Sequence, residues 1–169
     1  MNRIVGPVAF RHRQSRVLAI GLGNSILRDD GVGVHAVRRF QQLTPRPCRA
    51  VEVGTAVFDA VSLLETADLL LAFDAVNAGG KPGSVYVLRV EDVREEEKYD
   101  SVHEMGLIKV LQTLHHPPAE VVIIGAEPQV IEWGTELSPA LDSAVSVMVS
   151  TAQKMIACFN NSGATVESL

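Results

Sequence analysis

Apolar residues along the chain gather in short runs that stop at glycine or an acid, and between the runs they recur every three or four positions. RVLAIGL, residues 16–22, is rich in branched side chains and ends at glycine, which predicts a buried strand. In residues 31–43, Val34, Val37 and Phe40 fall at helical spacing with Arg38, Arg39 and Gln42 between them, and Pro45 and Pro47 stop that helix. RAVEV, residues 49–53, alternates as a second strand, and residues 58–65 read as a short helix. DLLLAF, residues 68–73, is apolar almost throughout, as expected of a central parallel strand covered on both faces, and it runs straight into Asp74.

NAGGKPG, residues 77–83, is a turn. It leads into SVYVLRV, residues 84–90, a strand reached too quickly for a helical crossover and so expected to be antiparallel to its neighbour. EDVREEEKYD, residues 91–100, is a charged stretch that suits a solvated loop or frayed helix. Residues 104–114 suit a helix with either Met105, Ile108 and Leu111 or Leu107, Leu111 and Leu114 on one side, closed by His116-Pro117-Pro118. EVVIIG, residues 120–125, is a further buried strand. The last helix has the clearest signals: Ser138 as N-cap, Pro139 at the first helical position, and a stripe of Leu141, Val145, Met148, Ala152, Met155 and Phe159.

This order predicts an α/β fold: a three-layer sandwich with a mostly parallel sheet of about five strands, one of them antiparallel, and helices on both faces. A single domain over residues 16–160 is expected, with residues 1–15 and 161–169 as flexible tails. In such sheets ligands sit beyond the carboxyl ends of the strands. Asp29 and Asp30 follow the first strand and Asp74 ends the third, so the three acids are expected on one rim.

Composition narrows the function. The chain has 169 residues, 47% hydrophobic and 21% charged, ordinary for a globular protein, and a formal charge of −5 that offers nothing to nucleic acid or an anionic membrane. Its N-terminal apolar run is broken by Gly6 and Pro7, without the core of a signal peptide, and no window reaches a membrane span. Cys48 and Cys158 are too few and too far apart for a disulfide framework, so a reducing cytoplasmic setting is expected.

GLGNSILRDDGVGV, residues 21–34, poses the chemical question. A dinucleotide loop needs a third glycine where Ile26 stands, and two carboxylates at a helix start would repel phosphate. One aspartate is explained as a helix cap, and Asp29 is assigned that role. Asp30 is then left over, either solvated or functional. Asp74 ends an apolar strand, where a charge is costly unless paired, hydrogen-bonded or bound to a metal. His103, in SVHEMGL, reads on its own as a surface residue at a helix start; with the two acids it would supply two oxygens and one nitrogen to nickel, zinc, iron or manganese. No GxSxG or cysteine–base pair is present for nucleophilic catalysis.

GLGNSILRDDGVGV, LLLAFDAV, SVHEMGL and VVIIGAEPQVIEWGTELSP resemble, in order and spacing, the hydrogenase maturation proteases, over about residues 17–159. The resemblance implies a three-layer α/β fold and a nickel-dependent endopeptidase, aspartic-type or metal-assisted. Such an enzyme removes the C-terminal extension of a nickel–iron hydrogenase large-subunit precursor after nickel insertion. It places the metal-binding and catalytic positions on Asp30, Asp74 and His103, with nickel carried by the precursor and zinc or cadmium as substitutes, and implies a monomer. Two departures stand out: the first ligand is often Glu, and the family's Asp-Gly-Gly-Thr is here Val53-Gly54-Thr55, which leaves Gly54 and Thr55 as substrate-binding positions. Two other readings compete: a non-proteolytic chaperone holding the nickel centre of the same partner, and a peptidyl-tRNA-hydrolase-like esterase. The latter lacks its His-Asn pair here.

Overall fold

The computed structural model describes residues 16–44, 48–90 and 102–164, the side chains of 102–105 and 162–164 excepted. Expectations for residues 1–15, for Pro45 and Pro47, for the charged stretch 91–100 and for residues 165–169 lie outside the described residues.

Five strands form one sheet in the order β2-β1-β3-β5-β4. They are β1 (Val17–Leu22), β2 (Arg49–Gly54), β3 (Leu69–Ala75), β4 (Val85–Arg89) and β5 (Glu120–Ala126). β1, β2, β3 and β5 are parallel, and β4 runs antiparallel along β5. The antiparallel strand therefore pairs not with β3, which precedes it, but with the strand that follows. A short return after β3 has room to step over one strand position, and β5 then fills the gap between them.

Helices cover both faces. α1 (Val32–Leu43) and α4 (Pro139–Ala164) lie on one, and α2 (Val61–Leu64) and α3 (Val102–Thr113) on the other. The two-residue period of β3 divides its side chains between them. Leu69, Leu71 and Phe73 pack with Val37, Phe40, Leu141, Val145 and Met148, while Leu70 and Ala72 pack with Leu64, Leu107 and Val110. Phe40 meets Phe73 with ring centroids 5.8 Å apart and planes tilted by 55°, a favourable aromatic geometry. Of the two registers open for α3, the one through Leu107 and Leu111 is buried, joined by Val110.

The last helix continues to Ala164, so the domain boundary expected at 160 falls inside it. Extending a helix fixes one residue per added hydrogen bond, so helical backbone runs on past the end of its apolar stripe. Among the described residues no helix is long and apolar enough to cross a membrane. Neither Cys48 nor Cys158 is in a disulfide.

Three glycines set the approach of α1 to the sheet. A Cβ on Gly33 would overlap the Phe73 carbonyl oxygen and lie 2.5 Å from that of Leu22, so α1 begins in direct contact with the ends of β1 and β3. A Cβ on Gly21 would overlap the Gly33 carbonyl, and one on Gly23, at φ 102°, that of Asp30. Gly33→Ala is expected to lower stability by about 3 kcal/mol, because backbone carbonyls on both sides cannot step aside as a side chain would. Urea unfolding monitored by circular dichroism checks it.

Candidate active site

The chain leaves β1 and coils through a short 3-10 turn, Arg28–Gly31, before α1 starts. Arg28 takes a left-handed backbone, φ 48°, unusual for a residue with a side chain. A second loop, residues 127–138, holds the turn in place. Arg28 N donates to Gly134 O at 2.9 Å and Gly134 N to Ile26 O at 3.0 Å. The Arg28 guanidinium donates to Glu132 Oε1 at 2.8 Å and to Glu136 O at 3.3 Å.

Asp29 is not a helix cap. Neither the turn nor α1 has a side-chain cap at its start. Its carboxylate is instead fully buried and accepts four hydrogen bonds from the loop: from the amides of Gln129 and Val130, both at 2.9 Å, from the amide of Ser138 at 2.7 Å, and from the Ser138 hydroxyl at 2.8 Å. In a 3-10 turn successive side chains splay by about 120°, so a residue in the middle of it can face inward while its neighbour faces the rim. Burial by itself raises this carboxyl's pKa, but the amides of Ser138, Val130 and Gln129 and the Ser138 hydroxyl outweigh it, leaving the group below the usual carboxylate range. Ser138 keeps the capping role expected of it, accepting from Leu141 N at 3.4 Å.

Asp30 is half-buried, and its Oδ2 accepts from Asn24 N at 2.8 Å. Asp74 is fully buried at the end of β3, with Oδ1 accepting from Ala75 N at 2.8 Å. The two acids share the carboxyl rim: Asp30 precedes by one helical turn the Gly33 that rests on the carbonyl of Phe73, and Phe73 precedes Asp74. Gly54, at φ 62°, ends β2 on the same rim and accepts from Gly23 N at 3.3 Å, with exposed Thr55 next to it. His103 lies in the first turn of α3. That helix is followed by β5, which starts at the amino edge of the sheet; the imidazole itself lies outside the described side chains. Among the described residues no three of His, Cys, Asp and Glu gather closely enough to hold a metal. The carboxylates of Asp30 and Asp74 are the oxygens on this rim that could serve a divalent ion, and an imidazole from α3 would complete a set of ordinary transition-metal character.

Glu127 was not singled out from sequence. Its carboxylate is buried just past β5 and accepts from Ala78 N at 2.9 Å, Gly79 N at 3.2 Å and the Tyr86 hydroxyl at 3.0 Å, so it ties down the loop that follows Asp74. The available signal was an acid directly after an apolar strand, the same one that marks Asp74.

A family model described as HycI, hydrogenase maturation protease, matches residues 34–155. The chain is 31% identical over 153 residues to the hydrogenase expression/formation protein HupD of Bradyrhizobium diazoefficiens, covering 86% of this chain and 80% of that one. It is 27% identical to the hydrogenase 2 maturation protease of Escherichia coli, over 88% and 93% of the two chains. The fold is similar to that of the nickel–iron hydrogenase maturation protease HybD from Thermococcus kodakarensis, with a TM-score of 0.74, 29% identity, and 83% of this chain matched to 99% of that one.

Asp29→Asn is expected to cost about 3 kcal/mol at neutral pH, since an amide nitrogen would face donors that now meet carboxylate oxygens. The native pKa is depressed, so the stabilisation from Asp29 is complete above the unfolded value of about 3.9 and is lost as pH falls below it. The stability gap between wild type and Asp29→Asn, measured by denaturant titration, should therefore narrow between neutral pH and about pH 3.

Proposed function

The chain belongs to the hydrogenase maturation protease family, and on that premise we propose that it removes a C-terminal extension from a nickel–iron hydrogenase large-subunit precursor once nickel is in place. Membership makes it a hydrolase that cuts a peptide bond within a protein chain. What supports the finer reading is the shared rim of Asp30 and Asp74, two acids far apart in the chain, joined by the helix start that carries His103.

Nickel enters as part of the substrate. The carboxylates of Asp30 and Asp74 and the imidazole of His103 would receive the loaded metal centre of the precursor, so recognition and readiness for cleavage become one event. A divalent ion held there supplies Lewis-acid charge next to the scissile carbonyl. The reaction adds water to the carbonyl carbon, breaks the C–N bond and passes a proton to the leaving amine. In this reading a rim aspartate takes the proton from water and returns it to the amine. Burial of Asp74 at a strand end keeps its carboxylate in a low-dielectric setting, where it attracts a cation more strongly than it would in water. Gly54 and Thr55 flank the rim on the β2 side, where backbone of the precursor can lie along them. Having Asp30 rather than Glu shortens one arm by a methylene, and the close seating of Gly23 on the Asp30 carbonyl brings the backbone of that arm inward.

Asp30→Asn, Asp74→Asn and His103→Ala should each reduce processing at least about 100-fold while leaving the circular dichroism spectrum unchanged. The readout is the mass of the large subunit before and after incubation. Full processing by all three variants would remove the proposal. Precursor prepared without nickel should keep its mass, and added nickel should restore shortening only when the precursor is loaded.

A further inference from the structure

Trp133 is 79% exposed, Ile131 56% and Ile26 47%, an unusual display for three large apolar side chains on one pair of segments. They do not sit on a slack loop. Leu27 and Gly134 pair as an isolated bridge, flanked by the hydrogen bonds from Arg28 N to Gly134 O and from Gly134 N to Ile26 O. Ile26 and Trp133 are therefore held on adjacent backbone segments. Behind them the buried Asp29 carboxylate fixes Gln129, Val130 and Ser138. The same 3-10 turn that carries Asp30 thus also carries the edge of a rigid apolar platform.

We propose that Trp133, Ile131 and Ile26 form a docking platform for the substrate polypeptide, taking an apolar side chain of the segment that flanks the scissile bond. This rests on the proposed function, because it names the chemistry of the chain that the rim receives. Two features favour a polypeptide as the occupant. The platform is continuous with the turn bearing Asp30, and the family acts on protein chains. It is also held in shape before anything binds, so docking carries little ordering cost and the gain from covering an indole is kept as affinity. A carboxylate rim alone would attract any cation; an apolar platform beside it admits only a metal delivered by a chain with the right neighbouring residue.

The test uses purified enzyme and the nickel-loaded precursor. Trp133→Ala should raise KM about tenfold or more with kcat within about twofold, Trp133→Phe should recover most of the loss, and Ile131→Ser should act in the same direction. Val147→Ala is the control: Val147 is 50% exposed on α4, nine residues beyond its N-cap Ser138 and so roughly 13 Å from the rim. Unchanged KM in both Trp133→Ala and Ile131→Ser overturns the platform. A second arm is independent of cleavage. Trp133 is the chain's one tryptophan, so fluorotryptophan labelling gives a single fluorine resonance. Saturating precursor whose scissile peptide has been made resistant to cleavage, added to labelled wild-type enzyme, should shift that resonance, and an unmoved resonance overturns the platform. If wild-type enzyme leaves the precursor at full length, the proposed function fails, while the fluorine arm still decides whether docking occurs.

Discussion

One buried carboxylate organises the rim. Removing an ionised group from water costs several kcal/mol unless its oxygens are fully supplied with donors. Asp29 meets that requirement with donors drawn from a segment about a hundred residues away: the amides of Gln129, Val130 and Ser138 and the Ser138 hydroxyl. Breaking any part of this arrangement leaves a charge stranded in the interior. The loop after β5, the first turn of α4 and the turn after β1 are therefore joined into one body. Asp30 and the exposed indole of Trp133 are both fixtures of that body.

The opposite side of the rim is built by a different device. Gly33 and Gly21 let α1 press onto the ends of β1 and β3 through close backbone contact. Glu127 fixes the loop following Asp74 through two amides and the Tyr86 hydroxyl, which also ties β4 to the rim. Acids thus serve in two ways here. Asp29 and Glu127 accept from the amides of distant segments and hold loops, whereas Asp30 and Asp74 accept from nearby amides where the strands end. The Arg38–Glu52 pair, bonded at 2.8 and 2.7 Å, links α1 to β2 but lies exposed and adds little to stability.

Most of the fold was legible in the sequence because its signals are local. The apolar run of β3, the stripe of α4 with Ser138 and Pro139 at its start, and the spacing of Val34, Val37 and Phe40 each declare an element within a dozen residues. The rim location of Asp30 and Asp74 followed from strand direction alone. What sequence did not reveal depends on distant partners. Asp29 looks like a cap because aspartate before a helix usually is one, and only the arrival of residues 129–138 gives it another occupation. β4 lies beside β5 because a strand's partner is set by the whole sheet order, not by the brevity of the turn before it. Glu127 and Trp133 carried no periodic signal, since loops have none.

Asp29 and Asp30 are chemically the same and adjacent, yet one faces the interior and the other the rim. Only their order along the 3-10 turn separates the two jobs. Deleting a residue between Gly23 and Arg28 would draw Asp30 into the interior position, and inserting one would push Asp29 out to the rim and leave Arg28 facing inward. The span between β1 and this turn is consequently under a counting rule: its side chains are free to vary more readily than its length.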